Sequence, residues 1–401
     1  MVEAVARHGY AGTTLRELVR LAGVSKSTFY EHFESKQEAF LATSDEIVNQ
    51  VAERVGAAYQ TGGDHRERLV AGLTAFMNLV ADEPQAATLT TVETLTLGKA
   101  GVEHRERGSE VFETMVRQSF DQSPAEVEVS ARTVRAIAAG IRGVVYRHLR
   151  AGTADQLPNL VDELADWAIG YQRPPDEAVQ RAAAAAGEPR LEAAEGSGEE
   201  LDWNEPPDSP RSRAELTQRE RIVRAIGILV VERGYETLSI PAISATAGTS
   251  NQTFYEHFDN KREAFLAAFD VTAAEGLSAT SKAFESAGNG PEAIGAALRA
   301  MLEHIAGNEL FARLAFFDLQ TAGPAALDRA DDAMERFTAF LRPGLAPAGV
   351  DATASAVTLQ AVASGAWSVI QHELAHGQTG SLPELAPELT QIILMPLTAS
   401  R

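Results

Sequence analysis

Shifted by 225 residues, the chain lies on itself. Gly9-Tyr10 falls on Gly234-Tyr235, and Ala22-Gly23 on Ala247-Gly248. The run Thr28 to Phe33 recurs unchanged as Thr253 to Phe258, and Lys36, Glu38 and Ala39 to Ala42 recur as Lys261, Glu263 and Ala264 to Ala267. Far downstream, Gly140, Leu149, Gly152, Leu157 and Pro158 still meet Gly365, Leu374, Gly377, Leu382 and Pro383. A register kept from Gly9 to Pro158 without net insertion marks two copies of one domain-sized unit, not a short motif used twice. Between the copies, residues 173–212 are rich in proline, glycine and acid, with Arg173-Pro174-Pro175, Gly196-Ser197-Gly198 and Pro206-Pro207-Asp208-Ser209-Pro210. Such a stretch reads as a linker, with room for a short helix over Asp176–Ala186.

Alanine, leucine and glutamate abound and alternating β-branched runs are scarce, so the expected class is all-α. Helix punctuation locates a head at the start of each copy. Thr14-Leu15-Arg16-Glu17 is a capping box, and Leu15, Leu18 and Val19 give the apolar face of a short helix that Ala22-Gly23 ends. Ser25 caps a second helix, Lys26 to Phe33, and Ser35 with Glu38 starts a third. In copy two Ser239, Gly248, Ser250 and Asn260 with Glu263 do the same work. Two short helices joined by a tight Ala-Gly turn form the unit whose second helix can enter a DNA major groove. Phe29 and Phe33, like Phe254 and Phe258, stand four apart on the buried side, leaving Lys26, Ser27, Tyr30 and His32 for the outside.

The series Gly-Tyr…Leu-Ala-Gly-Val-Ser-Lys-Ser-Thr-Phe-Tyr-Glu-His-Phe-x-x-Lys-x-Glu-Ala-Phe resembles the signature of the TetR family of bacterial regulators, sharply over the head and more loosely over the body. The resemblance implies DNA contacts from Thr14, Ser25, Lys26, Ser27, Tyr30, His32 and Lys36. In copy two it implies them from Ser239, Ser250, Asn251, Gln252, Tyr255, His257 and Lys261. Lys26 suits guanine, whereas Asn251 and Gln252 can bind adenine edges. Two departures bear on the heads. Met1 aligns with Ile226, so the first head helix is expected to be shorter in copy one, and Pro241 removes the capping-box partner in copy two.

The resemblance further implies that each head is followed by a helical bundle holding an effector, with the last two helices of each bundle pairing. The expected layout is head 1–43, bundle 44–172, linker 173–212, head 213–268 and bundle 269–401. Long helices over Phe40–Tyr59 and Phe265–Ser286 would lead into helices over Ala71–Val80, Gln85–Leu97, Val111–Phe120 and Val127–Arg150, by apolar spacing. Phe76, Leu95, Phe112, Met301, Phe316, Phe317, Phe337 and Trp367 are candidate lining for an apolar effector, the aromatic-rich second bundle being the favoured one. Pairing of Ile137–Leu149 and Leu160–Ile169 with Val362–Leu374 and Leu385–Leu397 would make an intramolecular pseudo-dimer, with further homodimerisation left open. The operator need not then be palindromic.

The functional expectation is a ligand-released repressor of transcription, not an enzyme, working on double-stranded DNA in the cytoplasm without metal or cofactor. The net charge of −21 tells against a nucleic-acid binder, but residues 173–210 alone carry ten acidic side chains against three arginines. The charge therefore predicts modest, salt-sensitive affinity. Absence of cysteine excludes disulfides and thiolate metal sites, and no stretch reads as a membrane span or secretion signal. Two alternatives stand beside the regulator. His372-Glu373-Leu374-Ala375-His376 matches the HExxH pattern of zinc peptidases, although copy one has Arg147-His148-Leu149-Arg150-Ala151 at the same place. The other alternative is a helical interaction protein with degenerate heads.

Overall fold

A computed structural model describes residues 1–123, 127–188, 208–209, 216–288, 290–345 and 355–398, and among these the regular structure is helix without strand. The chain divides into two compact units. One is built from Met1–Asp176 with Thr353–Val369 and Met395–Arg401, the other from Glu177–Ala352 with Ile370–Leu394.

In the first unit, α1 (Val2–Gly12), α2 (Leu15–Ala22) and α3 (Lys26–His32) form the head. They lead into α4 (Lys36–Tyr59), α5 (His65–Asp82), α6 (Pro84–Thr91), α7 (Gly98–Asp121), α8 (Ala131–Ala151) and α9 (Val161–Gly170). Helix α10 (Glu177–Gly187) opens the second unit. Its head is α11 (Gln218–Arg233), α12 (Ile240–Thr246) and α13 (Asn251–His257). The body follows as α14 (Lys261–Ser286), α15 (Pro291–Gly307), α16 (Glu309–Arg313) and α17 (Pro324–Leu345). The last helices are α18 (Ala356–Ala375) and α19 (Ala386–Thr398). From the heads onward the 225-residue offset carries each helix of copy one onto its counterpart to within a residue or two, apart from their far ends.

The caps explain where the head helices begin. Thr14 Oγ1 accepts from the Glu17 amide at 3.3 Å, Ser25 Oγ from Thr28 at 3.0 Å and Ser35 Oγ from Glu38 at 3.1 Å. In copy two Ser239, Ser250 and Asn260 cap in the same way. The box at Thr14 is only half formed, because the Glu17 carboxylate turns to His8 Nε2 at 3.1 Å. A full capping box, Thr217 with Glu220, starts α11.

Each first head helix breaks at a glycine. Gly9 (φ 66°) and Gly234 (φ 78°) sit where an L side chain would be strained, and the break turns the following tyrosine inward. Tyr10 meets Phe40 edge-on at 4.9 Å, and Tyr235 meets Phe265 at 4.5 Å. The two phenylalanines are fully buried and join each head to the base of its long helix.

Two packing details reach beyond the single bundle. Within the first unit, α8 and residues 356–369 of α18 approach so closely that only glycine fits. A Cβ on Gly140 would lie 2.6 Å from the carbonyl oxygen of Ala361, and one on Gly365 would lie 2.6 Å from that of Ala136. Gln360 Nε2 donates across this contact to the Gly143 carbonyl at 3.0 Å. Within the second unit, α10 lies on α15 through a stripe of buried Val179, Ala182, Ala183 and Ala186. Arg299 donates to the last carbonyls of α10, Ala186 and Gly187, at 3.3 Å, and Gly295 leaves the room that the α10 backbone fills. Of the segment expected as a linker, residues 177–187 are therefore a packed helix, because small side chains let two backbones approach; residues 189–207 and 210–215 lie outside the described residues.

Candidate nucleic-acid interface and effector cavity

The recognition-helix candidates, α3 and α13, present the same face in both copies. Phe29 and Phe254 are buried, while the tyrosine beside each stands out from the surface, Tyr30 57% and Tyr255 58% exposed. The neighbouring rings cross edge-to-face at 5.6 and 5.7 Å, both at 88°. The phenylalanine so fixes the direction of the exposed tyrosine. Around Tyr30, Lys26, Ser27, Glu31 and His32 are exposed; around Tyr255, Asn251, Gln252 and Glu256 are, Gln252 donating to Glu256 at 3.3 Å. His257 is only half-exposed, and its Nε2 is buried without a hydrogen bond. Thr14 and Ser239 are exposed at the starts of α2 and α12, while the Ser25 and Ser250 hydroxyls are taken up in capping and in 3.0 Å contacts with Thr28 and Thr253.

Lys36 and Lys261 behave differently from the rest. Lys36 Nζ donates to the carbonyls of Tyr10 at 2.8 Å and Thr13 at 2.9 Å, and sits 4.1 Å from the centre of the Tyr10 ring. Lys261 Nζ donates to Tyr235, Glu236 and Leu238 and lies 4.8 Å from the Tyr235 ring. Partial burial lowers the Lys36 ammonium from its ordinary value. Both lysines tie the Gly-Tyr turn to the start of the long helix, α4 or α14, so at least two of their three protons are committed there.

From the other side a carboxylate holds the same turn. Glu93 Oε2 accepts the Tyr10 amide at 2.8 Å, and Asp318 Oδ1 accepts the Tyr235 amide at 3.0 Å. Asp318 is placed by a π-turn over Leu314–Asp318 and is itself held by Arg313 at 3.1 Å, whose other arm reaches the Val231 carbonyl. Each head is thus latched to its own body by one acid from the segment after the third body helix, α6 or α16.

The first bundle is hollow. A cavity of about 200 Å³ runs between α4, α5, α6, α7 and α8, with mostly apolar walls. Of the sequence candidates, Phe76 and Phe112 line it, their rings 5.7 Å apart. Leu95, Met301, Phe316, Phe317, Phe337 and Trp367 do not; Leu95 and Phe316 are closed core. Its α4 wall runs from Ser44 to Tyr59, a span of ~22 Å at the helical rise. At the head-proximal end His104 Nε2 meets Ser44 Oγ at 3.0 Å, and burial lowers the His104 pKa although Asp45 opposes this. Arg105, Ser109 and Arg142 join the wall near that end, Arg142 donating to the Ser109 hydroxyl. Outside the lining, Arg135 grips Glu113 with two bonds of 3.1 Å.

The second bundle carries larger groups at matching positions. By the 225-residue offset Ser44 corresponds to Phe269, Ala86 to Phe311 and Thr91 to Phe316. Phe269 and Phe316 are buried, and Phe311 packs on His304 at 5.3 Å.

The family model described as "Bacterial regulatory proteins, tetR family" matches residues 2–43 and 222–268. The chain carries two heads of the TetR family. Both TetR matches end where the long helices α4 and α14 begin their course into the bodies. Among curated proteins, the chain is similar to the HTH-type transcriptional activator FasR of Mycolicibacterium smegmatis, 34% identical over 87 residues, or 22% of this chain and 40% of that protein. It is also similar to the fatty acid metabolism regulator protein of Bacillus subtilis, 24% identical over 111 residues, or 28% of this chain and 56% of that protein. The matches thus span about half the length of these curated relatives. A solved structure of the fatty acid degradation regulator FadR from Bacillus halodurans aligns with a TM-score of 0.37 at 15% identity, covering 45% of this chain and 94% of that one.

The HExxH pattern ends α18. There His376 Nδ1 lies 2.8 Å from the His372 carbonyl, and the two imidazoles stack with centroids 4.0 Å apart.

Proposed function

We propose that this protein is a transcription regulator in which two unlike TetR heads read the two halves of one DNA site and the first bundle holds the effector. The carrying observation is the duplicated recognition surface, an exposed tyrosine on a buried phenylalanine, flanked by Lys26 and Ser27 in one copy and Asn251 and Gln252 in the other. Such groups suit base edges and phosphates, with Lys26 favouring guanine and Asn251 and Gln252 favouring adenine. The site is then asymmetric. Thr14 and Ser239 complete the contact at helix starts, while Lys36 and Lys261 keep each head in shape.

Pairing of the two copies within one chain is supported by the reciprocity of the glycine contact. Gly140 and Gly365 are equivalent positions, as are Ala136 and Ala361, and each glycine faces the other copy's alanine carbonyl. That pattern is the mark of a self-complementary two-fold interface.

One curated relative is named for fatty acid metabolism, and the other is a transcriptional activator. The elongated apolar cavity suits a fatty-acyl effector. Its α6 wall, Ala86 to Thr91, runs directly into Glu93 and the Tyr10 latch, so filling the cavity would shift the first head. Whether the shift represses or activates follows from the position of the site relative to a promoter.

The test is footprinting on DNA flanking the gene, at low salt, with Tyr30→Ala and Tyr255→Ala proteins. Loss of one half-site in each variant is expected. No protection by the unaltered protein at low salt would overturn the proposal.

A further inference from the structure

The chain carries a charge of −21, yet the two charged side chains inside the cavity of its first bundle are both arginines. Arg105 and Arg142 are half-buried and line the wall beside Ser109; the other charged lining residues, Arg54 and Glu83, are exposed at the rim. We infer that this arginine pair is the binding site for the anionic head of the effector, whose apolar tail runs along α4 and α7 toward Tyr59. The inference rests on the cavity being the effector site.

Four observations support it. Arg105 is pushed down to about 9 by burial and then by the charge of Arg142, and burial lowers Arg142 as well. An anion held beside the pair would offset the charge that Arg142 places on Arg105. The facing groups are Glu106 and Tyr146 beside Arg105, and Glu113, Arg135 and Glu106 beside Arg142. Neither Glu106 nor Glu113 lines the cavity, and Glu113 is already gripped by Arg135.

The direction of the ligand follows from the helix pairing. His104 bonds Ser44 at one end, and a Cβ on Gly56 would lie 3.6 Å from Met115 Cε farther on, so α4 and α7 run side by side the same way. Arg105 and Ser109 therefore sit toward the head-proximal end, while Tyr59 and Ser119 lie toward the far one. The Tyr59 hydroxyl is buried there without a hydrogen bond. Between the ends the wall is apolar, including Phe76, Phe112 and Leu73.

Copy two lacks the whole set. Ala330, Met334 and Trp367 stand at the positions of Arg105, Ser109 and Arg142, so the anion site belongs to one bundle and one ligand binds per chain.

The experiment is calorimetric titration of the delipidated full chain, without DNA, with hexadecanoate, hexadecyl phosphate and hexadecanol. Either anion is expected to bind one per chain and about ten- to a hundredfold more tightly than the alcohol, the gain of a charge-assisted contact shielded from water. The two anions separate a carboxylate head from a phosphate head. Arg105→Gln with Arg142→Gln should reduce both anions to the affinity of the alcohol, whose own binding persists; Arg142→Lys should recover part of the gap. Equal affinity of anion and alcohol for the unaltered chain, an anion preference surviving in the double variant, or two sites per chain would overturn the inference. Because no DNA is present, a failure of operator binding or release leaves this result readable, and the reverse also holds.

Discussion

The close backbone approach between α8 and α18 offers a sharp test of the packing. Gly140→Ala would place a methyl carbon 2.6 Å from the Ala361 carbonyl oxygen and 2.5 Å from Trp167 Cη2. Gly365→Ala would place one 2.6 Å from the Ala136 carbonyl oxygen. Neither oxygen can rotate away, so the helices must separate. Overpacking costs about 1–3 kcal/mol, and alanine returns about 0.8–1 kcal/mol of helix propensity, for a net loss of up to about 2 kcal/mol at each site. The two sites share one contact, so separation forced by the first already makes room for the second. The double variant should lose about 2 kcal/mol, less than the sum of the singles. Gly56→Ala is the control: its Cβ would meet Met115 Cε at an ordinary 3.6 Å, and it should be neutral or stabilising by up to about 1 kcal/mol. Urea unfolding followed by helical circular dichroism reads all four proteins. If Gly140→Ala and Gly365→Ala stabilise as the control does, the helices are not in contact and the reasoning fails.

Other outcomes are equally direct. Glu93→Gln and Asp318→Asn weaken a charge-assisted bond to the Tyr10 or Tyr235 amide, about 1–2 kcal/mol each, and should speed amide hydrogen exchange in the affected head while sparing the other. Lys36→Met keeps the apolar stem but abandons two carbonyls, and should lower unfolding stability by about 1–2 kcal/mol at every salt concentration; an effect confined to DNA affinity and its salt slope would instead mark a phosphate contact. Burial holds His104 below its ordinary value, so the unfolded chain takes up that proton first. Its contribution is complete above about pH 6.5 and is lost as pH falls toward the folded-state pKa, so His104→Gln should flatten the acid side of a stability–pH curve.

Much of the architecture was legible because helix punctuation is local. Thr14, Ser25, Ser35, Ser239, Ser250 and Asn260 each cap a helix within three residues of themselves, and a constant offset carries the assignment from one copy to the other. What stayed hidden depends on distant partners. Nothing near Glu93 or Asp318 announces that it will hold an amide 83 residues earlier. Helix α7 was expected from Val111, yet it begins at Gly98, because Glu103-His104-Arg105-Glu106-Arg107 lacks an apolar stripe. The stripe is missing where this helix turns His104, Arg105 and Ser109 to a cavity. Aromatic content misled in the opposite direction. Phe316, expected as pocket lining, is buried core, and large rings at cavity positions fill space.

The reciprocal glycine contact carries an evolutionary corollary. In a pair of identical subunits every substitution arrives twice, so a change that helps one side of the axis must be tolerated on the other. Joined in one gene, the halves escape that rule. Arg135 serves Glu113, while its counterpart Gln360 reaches across to the Gly143 carbonyl; Arg142 faces a cavity, while its counterpart is Trp367. At a contact that demands glycine from both copies, the residues around it have diverged.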